Sequence, residues 1–517
     1  MNGEKQQTIA VIGSGIGGMA CGALFAKSGH TVHVLEQHES LIGGHGRCLS
    51  FQNLSFSMGP QYVWHFKPGD VGDRFLRYLE LDREIRFLDL EEDGFERIFI
   101  GKKYQPDYID FKVPLGLDNF RNAMTLRFPE YSKNLNSFFD DMQDIYNAYI
   151  FLYGDPTQDE SWFRYAADFL FSSDMKIAHK VKFLGNLFSS VKDFFDKYNL
   201  PDVCRRVLYG HGGIFAENES HMSAVGYVVA TANYHQGARY PEKGFYTFFS
   251  SLKDVIERHG GTVQNGKTVT SIEIDGDSAT RVFCSDGTSV RCDVVLSDIS
   301  PRLTCNLLPE KYRVDFSYQP SHSVPTICIG LKKGIPSLRN EMRGRNFWWQ
   351  DGSEVDYDSA DVTKLPSMLF INSPTAHGFG DLSGNDGMDN LVVFCPGNYD
   401  QEKGIYKLGP EAVAAWKKDL AHMVVDIIDT SVIPGVRENL VFAEVISSVD
   451  IEHDTLGEKG NAYGTRLTVK EILKTAVSCE YPVSNLYNVS ASYNAPGIAS
   501  GIKTGVRLLY RLTGIRI

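Results

Sequence analysis

Residues 9–12, Ile-Ala-Val-Ile, are apolar without a break. A short continuous apolar run predicts a strand buried on both faces. The chain then passes through Gly13-Ser14-Gly15-Ile16-Gly17-Gly18 into a run of small and apolar residues that reads as a helix. Thr31 to Leu35 form a second β-rich run, closed by Glu36. Far along the chain the pattern returns twice. Phe245 to His259 have helical spacing and end at Gly260-Gly261. Val269–Ile274, Ala279–Cys284 and Ser289–Val294 read as short strands with Asp286-Gly287 as a hairpin turn, and Val294 to Leu296 re-enter a parallel sheet. Leu486 to Val489 predict one more strand, Ser490 to Gly497 a loop, and a helix starts near Ala499.

The segments between differ in period. "YNAYIFLYG" and "SWFRYAADFLF" are helical and aromatic-rich. Ile177, Val181, Leu184, Phe188, Val191, Phe195 and Tyr198 recur at helical spacing, with lysines mostly opposite. That face suits a helix packed on its own lobe, an amphipathic helix lying on a membrane surface, or a lid over a tunnel. "TICIGLKKG", "SMLFINSP" and "NLVVFCPGN" read as sheet strands.

The first turn carries chemistry. It matches G-x-G-x-x-G between a strand and a helix: Gly13 permits the tight turn, Gly15 the approach of a pyrophosphate, and Gly18 close packing of helix on strand. Gly22 repeats the small-residue spacing on the same helix face. The carboxylate of Glu36 stands where it can accept hydrogen bonds from ribose hydroxyls while the helix N-terminus faces a diphosphate. A dinucleotide is the expected ligand.

Composition narrows the partners. The 517 residues are 43% hydrophobic and 22% charged, enough for a large core and two or more lobes. A net charge of −12 argues against nucleic acid. No leader precedes the first strand and no apolar run is long enough to span a bilayer, so the expected location is cytoplasmic. The nine cysteines are scattered, with no C-x-x-C pair, so neither a disulfide framework nor a metal site is expected.

Six residues after Glu36 come Gly43-Gly44, and this E-x6-G-G extension resembles the FAD-binding arm of two-dinucleotide-binding-domain flavoproteins. With "ARYPEKG" and the glycine-ended helix after it, and "NLY…PG…SG…G" near the C-terminus, the chain resembles the phytoene desaturase, carotenoid isomerase and retinol saturase superfamily of FAD-dependent oxidoreductases. The resemblance implies an α/β fold: a discontinuous Rossmann-type FAD-binding domain of residues 1–109, 236–301 and 476–517. An α+β substrate domain of residues 110–235 and 302–475 accompanies it, with a helical, membrane-facing candidate segment at 160–200.

It also implies non-covalent FAD, contacted by Gly13, Gly15, Gly18, Glu36, Gly44, Arg47, Val269, Pro496, Gly497 and Ile498. Bacterial desaturases usually place arginine directly after the glycine pair; here His45 stands there and Arg47 comes two later, where it is expected to approach the diphosphate instead. The N-terminus of the last helix suits the electron-rich edge of the flavin ring. Catalytic candidates are His45, His211, Arg239 and Tyr240, with Cys48 also passing near the flavin; each has a structural role as its alternative. The implied partner is a long hydrophobic unsaturated substrate, reached from a membrane or a carrier protein. The implied activity is desaturation or saturation of polyene carbon–carbon bonds. Two alternatives stay open: a redox-neutral isomerase or cyclase, polyketide tailoring included, and an inert flavin-binding protein. Gln61 and His45 lean toward the saturase and isomerase group.

Overall fold

The computed structural model describes residues 6–153, 172, 175–332, 334–379, 388–471, 481–493 and 495–517. One core is a five-stranded sheet ordered Leu486–Asn488, Val294–Ser297, Thr8–Ile12, Thr31–Leu35 and Thr262–Gln264. All its neighbours are parallel, with Ile9 opposite both Val294 and Val32. The first strand is central, which is why Ile9 to Ile12 are apolar on both faces. Helix Ile16–Lys27 packs on this sheet between Gly244–Arg258 and Ile498–Thr513. Small residues permit the close approach: a Cβ on Gly22 would stand 3.1 Å from Ile256, and one on Gly505 3.0 Å from Leu24.

A three-stranded antiparallel meander, Val269–Asp275, Ser278–Cys284 and Ser289–Arg291, flanks this sheet. Gly287 supplies the left-handed residue of its second turn at φ +83°. The helix expected from Phe245 runs from Gly244 to Arg258, and the last helix begins at Ile498.

The second core is a seven-stranded mixed sheet ordered Leu440–Ile446, Thr326–Lys332, Met388–Phe394, Met368–Asn372, Asn346–Gln350, Glu96–Ile100 and Ile109–Val113. Asn346–Gln350 runs parallel to Glu96–Ile100; the other neighbours are antiparallel. This corrects the expected boundary at residue 109. The strands Glu96–Ile100 and Ile109–Val113 extend the second sheet, because both present buried apolar residues to its cores.

The helix expected across 176–198 is two helices, Ile177–Asn186 and Val191–Lys197. Ser190 starts the second with a capping box to Asp193, and this break changes the register of the apolar face. Val191, Phe194 and Phe195 are buried, with Phe194 and Phe195 against Phe138. Ile177, Val181, Leu184 and Phe188 are exposed. Residues 160–171 of the same expected segment lie outside the described residues. Among the described residues, no helix is long and apolar enough to cross a membrane. The eight described cysteines are free.

Candidate cofactor and active site

A single cleft runs from the carboxyl ends of the parallel strands to the face of the mixed sheet. At its first end the chain exposes bare backbone. Gly13 turns at φ +92° and its N–H donates to the Leu35 carbonyl at 2.9 Å. A Cβ on Gly18 would stand 2.5 Å from the Gly13 carbonyl oxygen. Gly43 and Gly44 take φ of +107° and +55°, and a Cβ on Gly44 would stand 3.2 Å from the Gly15 Cα. Two glycine loops therefore meet backbone to backbone beside the N-terminus of helix Ile16–Lys27. Such a cradle fits a diphosphate, which needs close N–H donors and no side chains in the way.

Glu36 closes this end. Its Oε2 accepts from the Ser14 N–H at 3.0 Å and the Ser14 hydroxyl at 2.5 Å, and its Oε1 accepts from the His38 N–H at 2.8 Å. These bonds tie the end of the second strand to the glycine loop. Val269 lines the same end of the cleft. Pro496, Gly497 and Ile498 line it where the last helix begins, with Gly497 at φ +96°.

Arg47 lies elsewhere than expected. Its side chain is 2% exposed, with Nη2 3.0 Å from Asp454 Oδ2 and Nη1 donating to the Gly44 carbonyl at 3.4 Å. Asp454 and the Gly44 carbonyl hold the guanidinium, so Arg47 braces the glycine loop and is not among the residues that line the cleft.

Of the catalytic candidates, His45 alone lines the cleft. Its Nε2 is 2.7 Å from the Asn461 carbonyl, so Nε2 carries the proton and Nδ1 is left as an acceptor. Burial, then the nearby Arg47, holds its pKa down at about 4, so the ring is neutral. Cys48 is no thiolate at neutral pH, because burial pushes it up to about 12. His211 is fully buried, stacked on Tyr234 at 5.7 Å, with its pKa lowered by burial to about 4. Arg239 forks onto Asp89 at 2.7 and 3.1 Å and donates to the Phe66 carbonyl at 2.7 Å, pinning the small sheet Phe87–Asp89 with Arg239–Pro241. Tyr240 packs on Phe245 and His377 at 5.5 and 5.2 Å. These three positions serve packing and strand pairing, which corrects their assignment to the substrate channel.

The other end of the cleft is aromatic. Tyr62, Trp64, Trp348, Tyr357, Phe370 and Tyr463 line it. Trp348 meets Phe370 at 4.7 Å, and the Tyr463 hydroxyl donates to the Gly213 carbonyl at 3.1 Å. The Trp348 Nε1–H donates to Glu96, which also accepts from Asn346 Nδ2 at 3.2 Å. Burial raises the Glu96 pKa well above the usual carboxylate range, more than its two donors lower it. Tyr62, Trp348 and Phe370 come from strands and loops with no chemical motif, so the sequence offers no signal for the box beyond a general wealth of aromatics. Asp298 also lines the cleft, one residue past the strand Val294–Ser297. Its place at the carboxyl end of a parallel strand is the signal that could have found it.

Among the described residues, Glu217, His322 and Asp358 bring ligand-type atoms within 4.8 Å of one another. Arg466 already spans them, with Nε 2.6 Å from Glu217 Oε2 and Nη1 3.2 Å from Asp358 Oδ1. This is an ion-pair network.

Residues 11–79 match the family model of the NAD(P)-binding Rossmann-like domain. The chain is 23% identical to a carotenoid 3,4-desaturase of Haloarcula japonica, with 96% of each chain covered. It is 21% identical to a 4,4'-diaponeurosporene oxygenase of Staphylococcus haemolyticus over 95% of this chain and 94% of that one. An all-trans-retinol 13,14-reductase of Rattus norvegicus is 26% identical over 72% of this chain and 62% of its own length. Among solved structures, putrescine oxidase bound to putrescine matches with a TM-score of 0.65 at 13% identity, covering 99% of this chain and 100% of that one. An oxidoreductase from Methanosarcina mazei matches with a TM-score of 0.59 at 16% identity, covering 98% and 100%. With the glycine cradle and the two sheets, these likenesses support a resemblance to the phytoene desaturase, carotenoid isomerase and retinol saturase superfamily of FAD-dependent oxidoreductases.

Proposed function

We propose that the protein holds FAD non-covalently in the cleft and transfers hydrogen to or from a carbon–carbon bond of a long apolar polyene. Gly13, Gly15, Gly18 and Gly44 would cradle the diphosphate. Glu36 and Val269 would take the adenosine end, and Pro496, Gly497 and Ile498 the flavin end. The FAD-binding lobe would comprise residues 1–95, 236–301 and 476–517, and the substrate lobe residues 96–235 and 302–475.

The observation that carries this reading is the continuity of the glycine cradle with the aromatic box in one cleft. FAD, once bound, supplies hydride chemistry. The chain's part is to align the polyene against Tyr62, Trp348 and Phe370 and to keep water away from it. His45 is neutral and offers an acceptor at Nδ1, so it orients by hydrogen bonding and adds no charge to an apolar passage. The polyene desaturase, oxygenase and reductase names among the relatives support the substrate class.

Delivery from a membrane surface is part of the proposal. Ile177, Val181 and Leu184 on the first helix, and Phe188 in the turn that follows it, are 77, 59, 45 and 72% exposed. An apolar stripe of this kind flanked by lysines suits the headgroup boundary.

The test is incubation of the flavin-loaded protein with polyenes of graded length and saturation, followed by mass spectrometry. A product differing from its substrate by a pair of hydrogens supports an oxidoreductase. A rearranged product of unchanged mass would make it an isomerase or cyclase, and no turnover with reducible FAD would make it a binding protein.

A further inference from the structure

We propose that Asp298 is a further cofactor-binding residue, a neutral carboxylic acid whose O–H is donated to a diphosphate oxygen at the first turn of helix Ile16–Lys27. The inference rests on the placement of FAD in the cleft. Helix Ile16–Lys27 starts at Gly15, which has no side chain to cap it. Asp298, at the carboxyl end of the neighbouring strand Val294–Ser297, takes that role. Its own N–H donates to the Ile12 carbonyl at 2.8 Å, which fixes its backbone beside the glycine loop. Its carboxyl accepts from the Gly18 N–H, and its Oδ2 is buried without a partner. A Cβ on Gly15 would stand 2.5 Å from Oδ2, and one on Gly17 2.8 Å from Oδ1. The carboxyl therefore fills the Cβ side of Gly15, directly beside the turn that a diphosphate would meet.

A carboxylate there would repel a diphosphate across a short, poorly screened distance. A protonated carboxyl would do the reverse, keeping the Gly18 N–H satisfied and offering Oδ2–H to the ligand. The surroundings favour the acid. Burial raises the pKa well above the usual carboxylate range; the Gly18 N–H opposes this, and Glu36 adds to it. The titratable groups facing the carboxyl are Glu36 at the end of the second strand and Cys21 on the helix, whose thiol burial pushes up. The loop after Leu486–Asn488 meets the glycine turn with the Val489 carbonyl. Glu458, one contact further out, is held by Ser300 and by Arg302, each at 2.8 Å.

The experiment is titration of flavin-stripped protein with FAD, followed by flavin fluorescence, from about pH 6 to about pH 9.5. Wild type should lose affinity by about tenfold per pH unit once Asp298 ionises. Asp298→Asn, whose amide N–H replaces the O–H, should bind FAD with a flat profile. Infrared difference spectra of the wild type, taken as FAD binds, should show a perturbed carbonyl band of a protonated carboxylic acid. That measurement stands even where the variant fails to fold. Matching pH profiles in the two proteins, or no perturbed acid band in the wild type, would overturn the role of Asp298 and leave the FAD placement standing. Absence of FAD binding at every pH would overturn both.

Discussion

Gly44 faces Gly15 across a gap with room for no side chain: a Cβ on Gly44 would stand 3.2 Å from the Gly15 Cα. Gly44 also holds φ +55°, where an L side chain is strained. Gly44→Val should therefore weaken FAD binding by about tenfold or more, about 1.4 kcal/mol, with fold content unchanged by circular dichroism. Equilibrium dialysis of the stripped protein checks this. Retention of full affinity would mean that the two glycine loops do not form the cradle.

Trp348 and Glu96 make a second testable pair. Glu96→Leu leaves the Trp348 Nε1–H and the Asn346 amide without their acceptor in a dry interior. The expected cost is about 1–3 kcal/mol for each donor, seen as a lowered unfolding midpoint with FAD content retained. Glu96→Gln keeps an acceptor and should lose much less. Equal losses in the two variants would show that the indole does not depend on this bond.

The protein's buried histidines should each lose stabilisation in a defined acid window. Burial lowers the pKa of His45, His65, His211 and His377 to about 4, and of His235 to about 3. Each binds a proton more readily when unfolded, so their stabilisation is complete above about pH 6.5 and is lost as pH falls toward those values. For the fully buried His211 the loss is about 3 kcal/mol. Glu219 and Glu402, both raised by burial to about 7, act in the opposite sense between their unfolded value and 7. Glu96 and Asp298, raised well above the usual carboxylate range by burial, add to that opposite sense, so the histidine share is read by comparing variants. Denaturant midpoints measured between about pH 7 and about pH 4.5 should favour His211→Phe increasingly over wild type as the pH falls. A difference between the two proteins that does not change with pH would contradict the buried neutral state of His211.

Membrane contact is expected through the first of the two split helices and the turn after it. Ile177→Ser with Phe188→Ser should reduce co-sedimentation with anionic liposomes and leave FAD content intact, because both side chains are exposed. Phe195→Ser is a different experiment: Phe195 is fully buried, and its loss should destabilise the fold by about 3 kcal/mol or more. Unchanged sedimentation of the double variant would remove this surface from the account.

The sequence made the proposed cofactor end legible and the proposed substrate end largely not, for a physical reason. A diphosphate demands bare backbone at fixed spacing, so Gly13, Gly15, Gly18 and Gly44 announce themselves. An apolar polyene demands only shape, and Tyr62, Trp348 and Phe370 look like any buried aromatic until the sheet brings them together. Arg47 and Arg239 misled because arginine suits both a phosphate and a carboxylate, and Asp454 and Asp89, distant in the chain, decide which. The split at Ser190 was likewise hidden. Apolar spacing continues through it, and the capping box to Asp193 is what ends the face.

The most direct test of the central claim is an anaerobic single turnover with one flavin equivalent of a polyene substrate, run once with oxidised and once with photoreduced protein. In one of the two states the account predicts a product changed by two hydrogens, with the flavin spectrum changing stoichiometrically in the opposite redox direction. A rearranged product of the same mass with the flavin unchanged, or no conversion from either state, would contradict it.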